Sequence, residues 1–371
     1  MNLRVGSRGA GRPPPRRAAR LLGAAVDYVH CNPLSGPNDL SRVGSGSGDA
    51  GPNLTESRPL REALGSFPLL FEPTPPLARV QAARVEERLD SVARLVASVP
   101  RADALLVPEL VDENHEGKPH YRSGDIRPFA RALQSRTGRA TIVNKVVAYL
   151  SDPGTLGRWA EETTEQGLTS LVLVGGASRF IPYPGPSVIE ANRACRPIVQ
   201  RAGGLLGNIA IPQRVGEPHR MLSKTRVGAA FFTTQIVFDA DQVVQMVRQY
   251  DLLCRQAATP PATVLLSVAP LADEQDVEFV RWLGADLPDA AERAILEGDD
   301  AEALRRSEAR ALEVWETVRE VAARESLEVP LGINVEQISV RHLEAAGHLL
   351  GEFAGRFSGL ARSSVPAAPR G

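Results

Sequence analysis

Eight short apolar runs limit what this chain can fold into. They are "PLLFE" (68–72), "ALLVP" (104–108), "ATIVNKVV" (140–147), "SLVLVGG" (170–176), "LLGNIAIP" (205–212), "AFFTTQIVF" (230–238), "TVLLSVAP" (263–270) and "VPLGINVE" (329–336). Most lack the apolar/polar alternation of a half-exposed strand, so they read as strands buried on both faces, as in a parallel sheet. Amphipathic stretches separate them and predict helices over 77–98, 126–137, 153–166, 187–201, 217–228, 240–257, 273–284 and 339–354. Parallel strands need such crossovers. Eight strands alternating with eight helices therefore predict an α/β chain closed into a (β/α)8 barrel. A doubly wound open sheet shares the alternation, but its dinucleotide-binding form opens on a glycine-rich turn. Here "FEPTPP" follows the first run. The stretch from "DLPDAAERAILEGDD" to "VREVAARE" predicts extra helices between the seventh and eighth strands.

Residues 1–60 lack this rhythm. "RGAGRPPPRRAAR" and "SRVGSGSGDAGPN" are rich in Arg, Pro, Gly and Ser and predict a disordered leader. The apolar part of "PRRAARLLGAAV" is too short for an export signal. One barrel domain is expected over 61–356 and a flexible tail over 357–371.

Charge and composition exclude some partners. The net charge is −1 and no basic stripe occurs, which argues against nucleic acid. No apolar run approaches the ~18 residues of a membrane helix. Cys31, Cys195 and Cys254 are isolated, which fits a reducing cytoplasm and no disulfide framework. The six histidines form no HxxH or HExxH pattern, so no metal is expected. "VDENHEGKPH" is rich in potential ligands but reads as a solvated or lid loop without fixed geometry. Nothing in the sequence specifies an oligomeric state.

In a (β/α)8 barrel the chemistry sits at the carboxyl ends of the strands. That rule selects Glu72, Glu109, Asn144 with Lys145, Gly175 with Gly176, Gln213 with Arg214, Gln235 with Asp239, Ser267, and Asn334 with Glu336. Glu72 beside Phe71 suits a carboxyl with a raised pKa and a general-acid role. The first and eighth strands of a closed barrel are neighbours, so Glu336 is expected close to Glu72, where proximity pushes one pKa upward. The glycine pair permits close backbone approach to a flat or phosphorylated ligand, or simply makes a tight turn. "PQRVGEPHRMLSKTRVGA", with Arg214, His219, Arg220, Lys224 and Arg226, is the most basic stretch near the mouth and suits an anionic ligand, or else is a solvated helix face. Only three lysines occur in the chain, which draws attention to Lys224 and Lys145. Gln235 interrupts an apolar strand and reads as a ligand handle at the strand end, sharing a face with Phe231 and Thr233.

"FEPTPP", "LVLVGG", "VGAAFFTTQIVFDAD" and "VLLSVAPLADEQDVEFVRWL", in that order and spacing, resemble the methylenetetrahydrofolate reductase family over roughly residues 67–350. The resemblance implies a (β/α)8 barrel. It implies Glu72 as the acid that helps open the five-membered ring of the folate, Gln235 as a pterin ligand and Lys224 as a flavin contact. Three places depart from the flavin-dependent members. Leu173-Val174-Gly175-Gly176 stands where they read Leu-Arg-Gly-Asp, Asn144 stands where they carry histidine, and "PELVDENHEGKPH" replaces their second-strand segment. The chain looks more like a divergent, actinobacterial-type branch that reduces the folate without bound FAD, with NADH or NADPH passing hydride directly. On that reading Asn144, Glu109, Glu336 and Asn334 join Gln235 around the folate. Gly175, Gly176, Arg214, His219 and Lys224 face the nicotinamide cofactor. Two other functions fit the same barrel: a folate-dependent methyl or one-carbon transferase that needs no NADH, and a non-catalytic pterin-binding barrel.

Overall fold

The computed structural model describes residues 58–363 except 115 and 179. Most of the expected leader and the last residues of the expected tail lie outside the described residues. Eight parallel strands close a barrel: β1 (Leu69–Glu72), β2 (Ala104–Val107), then β5 (Ala140–Val146), β6 (Leu171–Val174), β7 (Leu206–Ala210), β8 (Ala229–Ile236), β9 (Thr263–Val268) and β10 (Leu331–Glu336). Between β2 and β5 the chain adds an antiparallel pair, β3 (Val111–Glu113) and β4 (Pro119–Tyr121). The eightfold alternation therefore folds as its pattern predicts. The extra helices between β9 and β10 are present as Asp289–Leu296 and Asp300–Arg324. Among the described residues, no helix is long and apolar enough to cross a membrane.

The barrel wall is apolar on both faces, which is why its strands lack alternation. Outward residues such as Phe71, Val107, Leu173, Phe232, Val268 and Val335 pack beneath the helices. Inward residues Leu70, Leu106, Ile142, Val172, Phe231 and Leu265 fill the interior. A Cβ at Gly207 would lie 2.4 Å from the Phe231 ring, so that glycine makes room for the ring. Leu60 and Leu64 pack against the inner cluster. Arg58 pairs with Asp103 at 3.1 Å. The domain thus includes Arg58 and Leu60, which precede its expected start at residue 61. At the other end, helix Leu343–Ser363 runs past the expected boundary at 356, and Phe357 is buried against Trp315, Phe353 and Phe67.

Toward the carboxyl ends of the strands the interior turns polar. The alternate positions that carry Leu70, Ile142, Leu265 and Gly332 lower down carry Glu72, Asn144, Ser267, Asn334 and Glu336 at the mouth. The same period of two that builds the apolar layers thus delivers the candidate site.

Candidate functional site

Glu72 and Glu336 are register partners on the paired strands β1 and β10. Asn334, two residues before Glu336 and so on the same face, is fully buried. Its Nδ2 donates to Glu72 Oε2 at 2.7 Å and to Ser267 Oγ at 3.1 Å, and lies 3.5 Å from Glu336 Oε1. Burial pushes the Glu72 carboxyl well above the ordinary carboxylate range. The neighbouring Glu336 charge raises it further, and the hydrogen bond from Asn334 pulls it back in part. Burial raises Glu336 to about 7, against the hydrogen bonds from Ser267 and Asn334. Two carboxyls this close in a low-dielectric mouth do not both ionise readily, so the pair holds a proton near neutral pH.

The loops leaving β1 and β10 are tied over this pair. Gln337 N donates to the Glu72 carbonyl at 2.9 Å, and the Thr74 hydroxyl donates to the Gln337 carbonyl. Arg88 reaches both, giving Nε to the Thr74 carbonyl at 2.7 Å and Nη2 to Gln337 Oε1 at 3.1 Å. Burial lowers that guanidinium to about 10. Pro73, Pro75 and Pro76 stiffen the exit from β1.

Gln235 departs from its expected face. Strand β8 shifts register against β9 between Thr233 and Ile236, so that Ile236 and not Gln235 aligns with Ser267. The shift breaks the alternation that groups Gln235 with Phe231 and Thr233. Gln235 Nε2 donates to the Leu283 carbonyl, and Gln213 Nε2 donates to the adjacent Gly284 carbonyl at 2.9 Å. Both amides brace the turn after helix Glu274–Trp282.

The residues expected around a nicotinamide cofactor are not gathered into one cradle. Protein side chains pack against one side of the Gly175–Gly176 turn, and both glycines stay partly exposed. A Cβ on Gly176 would lie 2.2 Å from the Tyr183 ring, and one on Gly175 would lie 3.1 Å from Val188. Lys224 is buried, donating to the Ile209 carbonyl at 2.8 Å and to Glu217 Oε1 at 3.3 Å. Its ammonium serves an internal ion pair and is not presented at the surface. Glu217 is fully buried, with Arg214 at 3.7 Å and Arg220 at 3.9 Å. Arg214 and His219 themselves are exposed.

"VDENHEGKPH" is not an irregular loop. It forms the β3–β4 hairpin, which is held at the mouth by two tyrosines that sequence reasoning passed over. Glu113 accepts from Tyr149 Oη at 2.6 Å and from Tyr183 Oη at 2.8 Å, and the two rings meet edge to face with centroids 5.7 Å apart. Glu109 takes Lys145 Nζ at 2.6 Å and Val146 N at 2.8 Å. Asn144 is buried at the neighbouring strand end. The structure therefore brings Glu72, Asn334 and Glu336 together on one side of the mouth and pairs Glu109 with Lys145 on another, while Asn144 lies on the interior face of β5.

No family model matches the chain, and no curated protein matches it. Among solved structures it is similar to an uncharacterised protein from Clostridium thermocellum that binds two copies of 5-methyl-5,6,7,8-tetrahydrofolic acid. That likeness has a TM-score of 0.63 and 16% identity, covering 80% of this chain and 99% of that one. A weaker likeness, with a TM-score of 0.40 and 13% identity, is to 2,3-dimethylmalate lyase, a member of the PEP mutase/isocitrate lyase superfamily. It covers 84% of this chain and 89% of that one.

Proposed function

We propose that this barrel binds a reduced folate at its mouth and reduces 5,10-methylenetetrahydrofolate to 5-methyltetrahydrofolate, with Glu72 as the general acid. The observation that carries the reading is the Glu72–Asn334–Glu336 cluster, in which a buried carboxyl keeps its proton near neutral pH. Breaking the bond between the methylene carbon and the leaving ring nitrogen needs a proton on that nitrogen. A neutral carboxylic acid at a barrel mouth is the group that gives one. Support for a folate comes from the methyltetrahydrofolate-binding protein of similar fold and from the resemblance of the strand motifs.

Glu72 protonates the leaving nitrogen as the ring opens to an iminium ion. A reduced nicotinamide, taken as co-substrate, would supply the hydride that turns the iminium carbon into the methyl group and would leave oxidised. Asn334 holds the Glu72 carboxyl in place through its 2.7 Å hydrogen bond and stabilises the carboxylate left behind. Glu336, itself raised by burial, lies beside Glu72, and its charge raises the Glu72 pKa again for the next cycle.

The test is an anaerobic assay of the purified protein with 5,10-methylenetetrahydrofolate, with and without NADH or NADPH, alongside an absorption spectrum of the same sample. Reduction that needs the nicotinamide and proceeds without a flavin absorbance supports the reading. Product formed equally well without nicotinamide replaces it with methyl or one-carbon transfer. If no folate binds, both are excluded.

A further inference from the structure

Arg88, on the helix Ala82–Ser98 that follows β1, is half-buried and has no carboxylate partner among the described residues. Glu86 and Asp90 on the same helix are taken by Arg136 instead. Burial lowers the Arg88 guanidinium only to about 10, so it stays charged at neutral pH. Its partners are the neutral groups of two loops. Charge-assisted bonds of this kind are roughly twice as strong as bonds between neutral groups.

Gln337, 3% exposed, is the hub of those loops. Its N donates to the Glu72 carbonyl at 2.9 Å, its carbonyl accepts from the Thr74 hydroxyl, and its Nε2 donates to the Val340 carbonyl at 3.4 Å. Its Oε1 accepts from Arg88 Nη2 at 3.1 Å, and Arg88 Nε donates to the Thr74 carbonyl at 2.7 Å. The bond from Gln337 N carries the β1–β10 ladder one step past the register pair Glu72–Glu336. One planar fork thus bridges both strand exits immediately beyond the two carboxyls. A lysine ammonium lacks that fork geometry.

The surroundings of Glu72 make this spacing matter. β1 packs against β10, β2 and helix Leu343–Ser363. β10 brings Glu336. β2 leads to Glu109, which is paired with Lys145. The helix carries Glu344, which is exposed, and His348, which is paired with Glu308. What raises Glu72 is burial and the Glu336 charge, with no fixed cation opposing them. Both depend on distance and on exclusion of water.

We propose that Arg88 is a positioning residue for Glu72: its two-point bond to Thr74 and Gln337 fixes the spacing of the β1 and β10 ends, and with it the spacing of the two carboxyls. For turnover this rests on Glu72 acting as the acid; for the spacing it does not.

Infrared difference spectra of the full chain against pH, beside kcat against pH, test it. The neutral-carboxyl band that disappears in Glu72→Gln reports the Glu72 proton without any turnover. In Arg88→Met the midpoint of that band is expected about one pH unit or more below wild type, with the alkaline limb of kcat following it. Loosened loops weaken the repulsion from Glu336 and admit water, and both ease ionisation. Arg88→Lys keeps the charge without the fork, so it should shift the midpoint the same way. Gln337→Leu removes the acceptor on the other loop and should also lower it. A wild-type midpoint in folded Arg88→Met or Gln337→Leu, whatever the loss of melting temperature, makes Arg88 a structural tie only and overturns the proposal. A wild-type midpoint in Arg88→Lys assigns the effect to charge and overturns it as well. Failure of the folate-reduction reading looks different: Glu72→Gln keeps its turnover, while the midpoint shifts of the Arg88 variants remain.

Discussion

Glu72 and Glu336 occupy the same level on adjacent parallel strands, and one amide, Asn334, hydrogen-bonds Glu72 while reaching toward Glu336. Each carboxyl is expensive to ionise where it sits, and ionising one makes the other harder to ionise. Replacing Glu72 with Gln keeps the shape and the Asn334 contact but removes the transferable proton. Turnover with methylenetetrahydrofolate should fall by roughly 10²–10⁴-fold while folate affinity stays within a few-fold. Single-turnover rates beside equilibrium binding check this, and retained turnover would exclude Glu72 as the acid.

The same pair ties stability to pH in a defined direction. With both folded-state values raised, the native chain holds protons that ordinary carboxyls of the unfolded chain release. This contribution is full below the ordinary carboxylate range, near 4.5, and is lost as pH rises through about 7, the value of Glu336. Glu336→Gln removes one of the two titrations and the repulsion on Glu72. The drop in melting temperature between about pH 5 and about pH 8 should therefore be smaller in the variant than in wild type. In the reaction, the variant's alkaline limb should move to lower pH, because Glu72 loses the charge that raises its pKa. Thermal melts and kcat against pH read the two effects separately.

Much of this was legible in the sequence, and for one reason. Residues whose environment is set by strand period and strand end, such as Leu70, Glu72, Asn334 and Glu336, are readable once the eight buried runs are recognised. The adjacency of Glu72 and Glu336 followed from barrel closure alone. Residues whose environment depends on a local break in that period were not readable. Gln235 lost its inferred face to a register shift that leaves no mark in "FFTTQIVF". The β3–β4 hairpin has two strands of three residues each, partly or fully exposed, too short and too polar for an alternation signal. Its anchors, Tyr149 and Tyr183, come from loops after β5 and β6, and only the fold brings them to Glu113.

The glycine pair gives a prediction that separates packing from ligand contact. Gly176 is required because the Tyr183 ring lies where a Cβ would be, 2.2 Å away. Gly176→Ala must displace a ring that also donates to Glu113, so it should destabilise by about 1–3 kcal/mol, as overpacking does. Tyr183→Ala should relieve the clash and make Gly176→Ala nearly neutral in the double variant. Urea denaturation of the four proteins in that cycle decides it, and additive costs would break the link.

Glu113 couples the hairpin to the barrel through two hydroxyls. Glu113→Ala should leave Tyr149 and Tyr183 without their acceptor and free the hairpin while the strands stay closed. Amide exchange across residues 111–121 should speed up by roughly tenfold. Protection in β5, β6 and β7 should not change. Mass-spectrometric hydrogen exchange resolves the two regions, and equal acceleration in both would mean global loosening instead.

Lys224 is buried beside the fully buried Glu217 and also bonded to the Ile209 carbonyl. Burial lowers its pKa, and the Glu217 charge restores part of the loss. Lys224→Met removes the cation and leaves Glu217 desolvated, with Arg214 and Arg220 only at 3.7 and 3.9 Å. Breaking one side of a buried pair costs about 3–5 kcal/mol, whereas removing both charges is often close to neutral. Lys224→Met should therefore be strongly destabilising, and adding Glu217→Gln should recover much of the loss. A ligand-contact role alone predicts the opposite pattern, with unchanged denaturation midpoints and a rise in KM. Guanidinium denaturation of the single and double variants distinguishes the two.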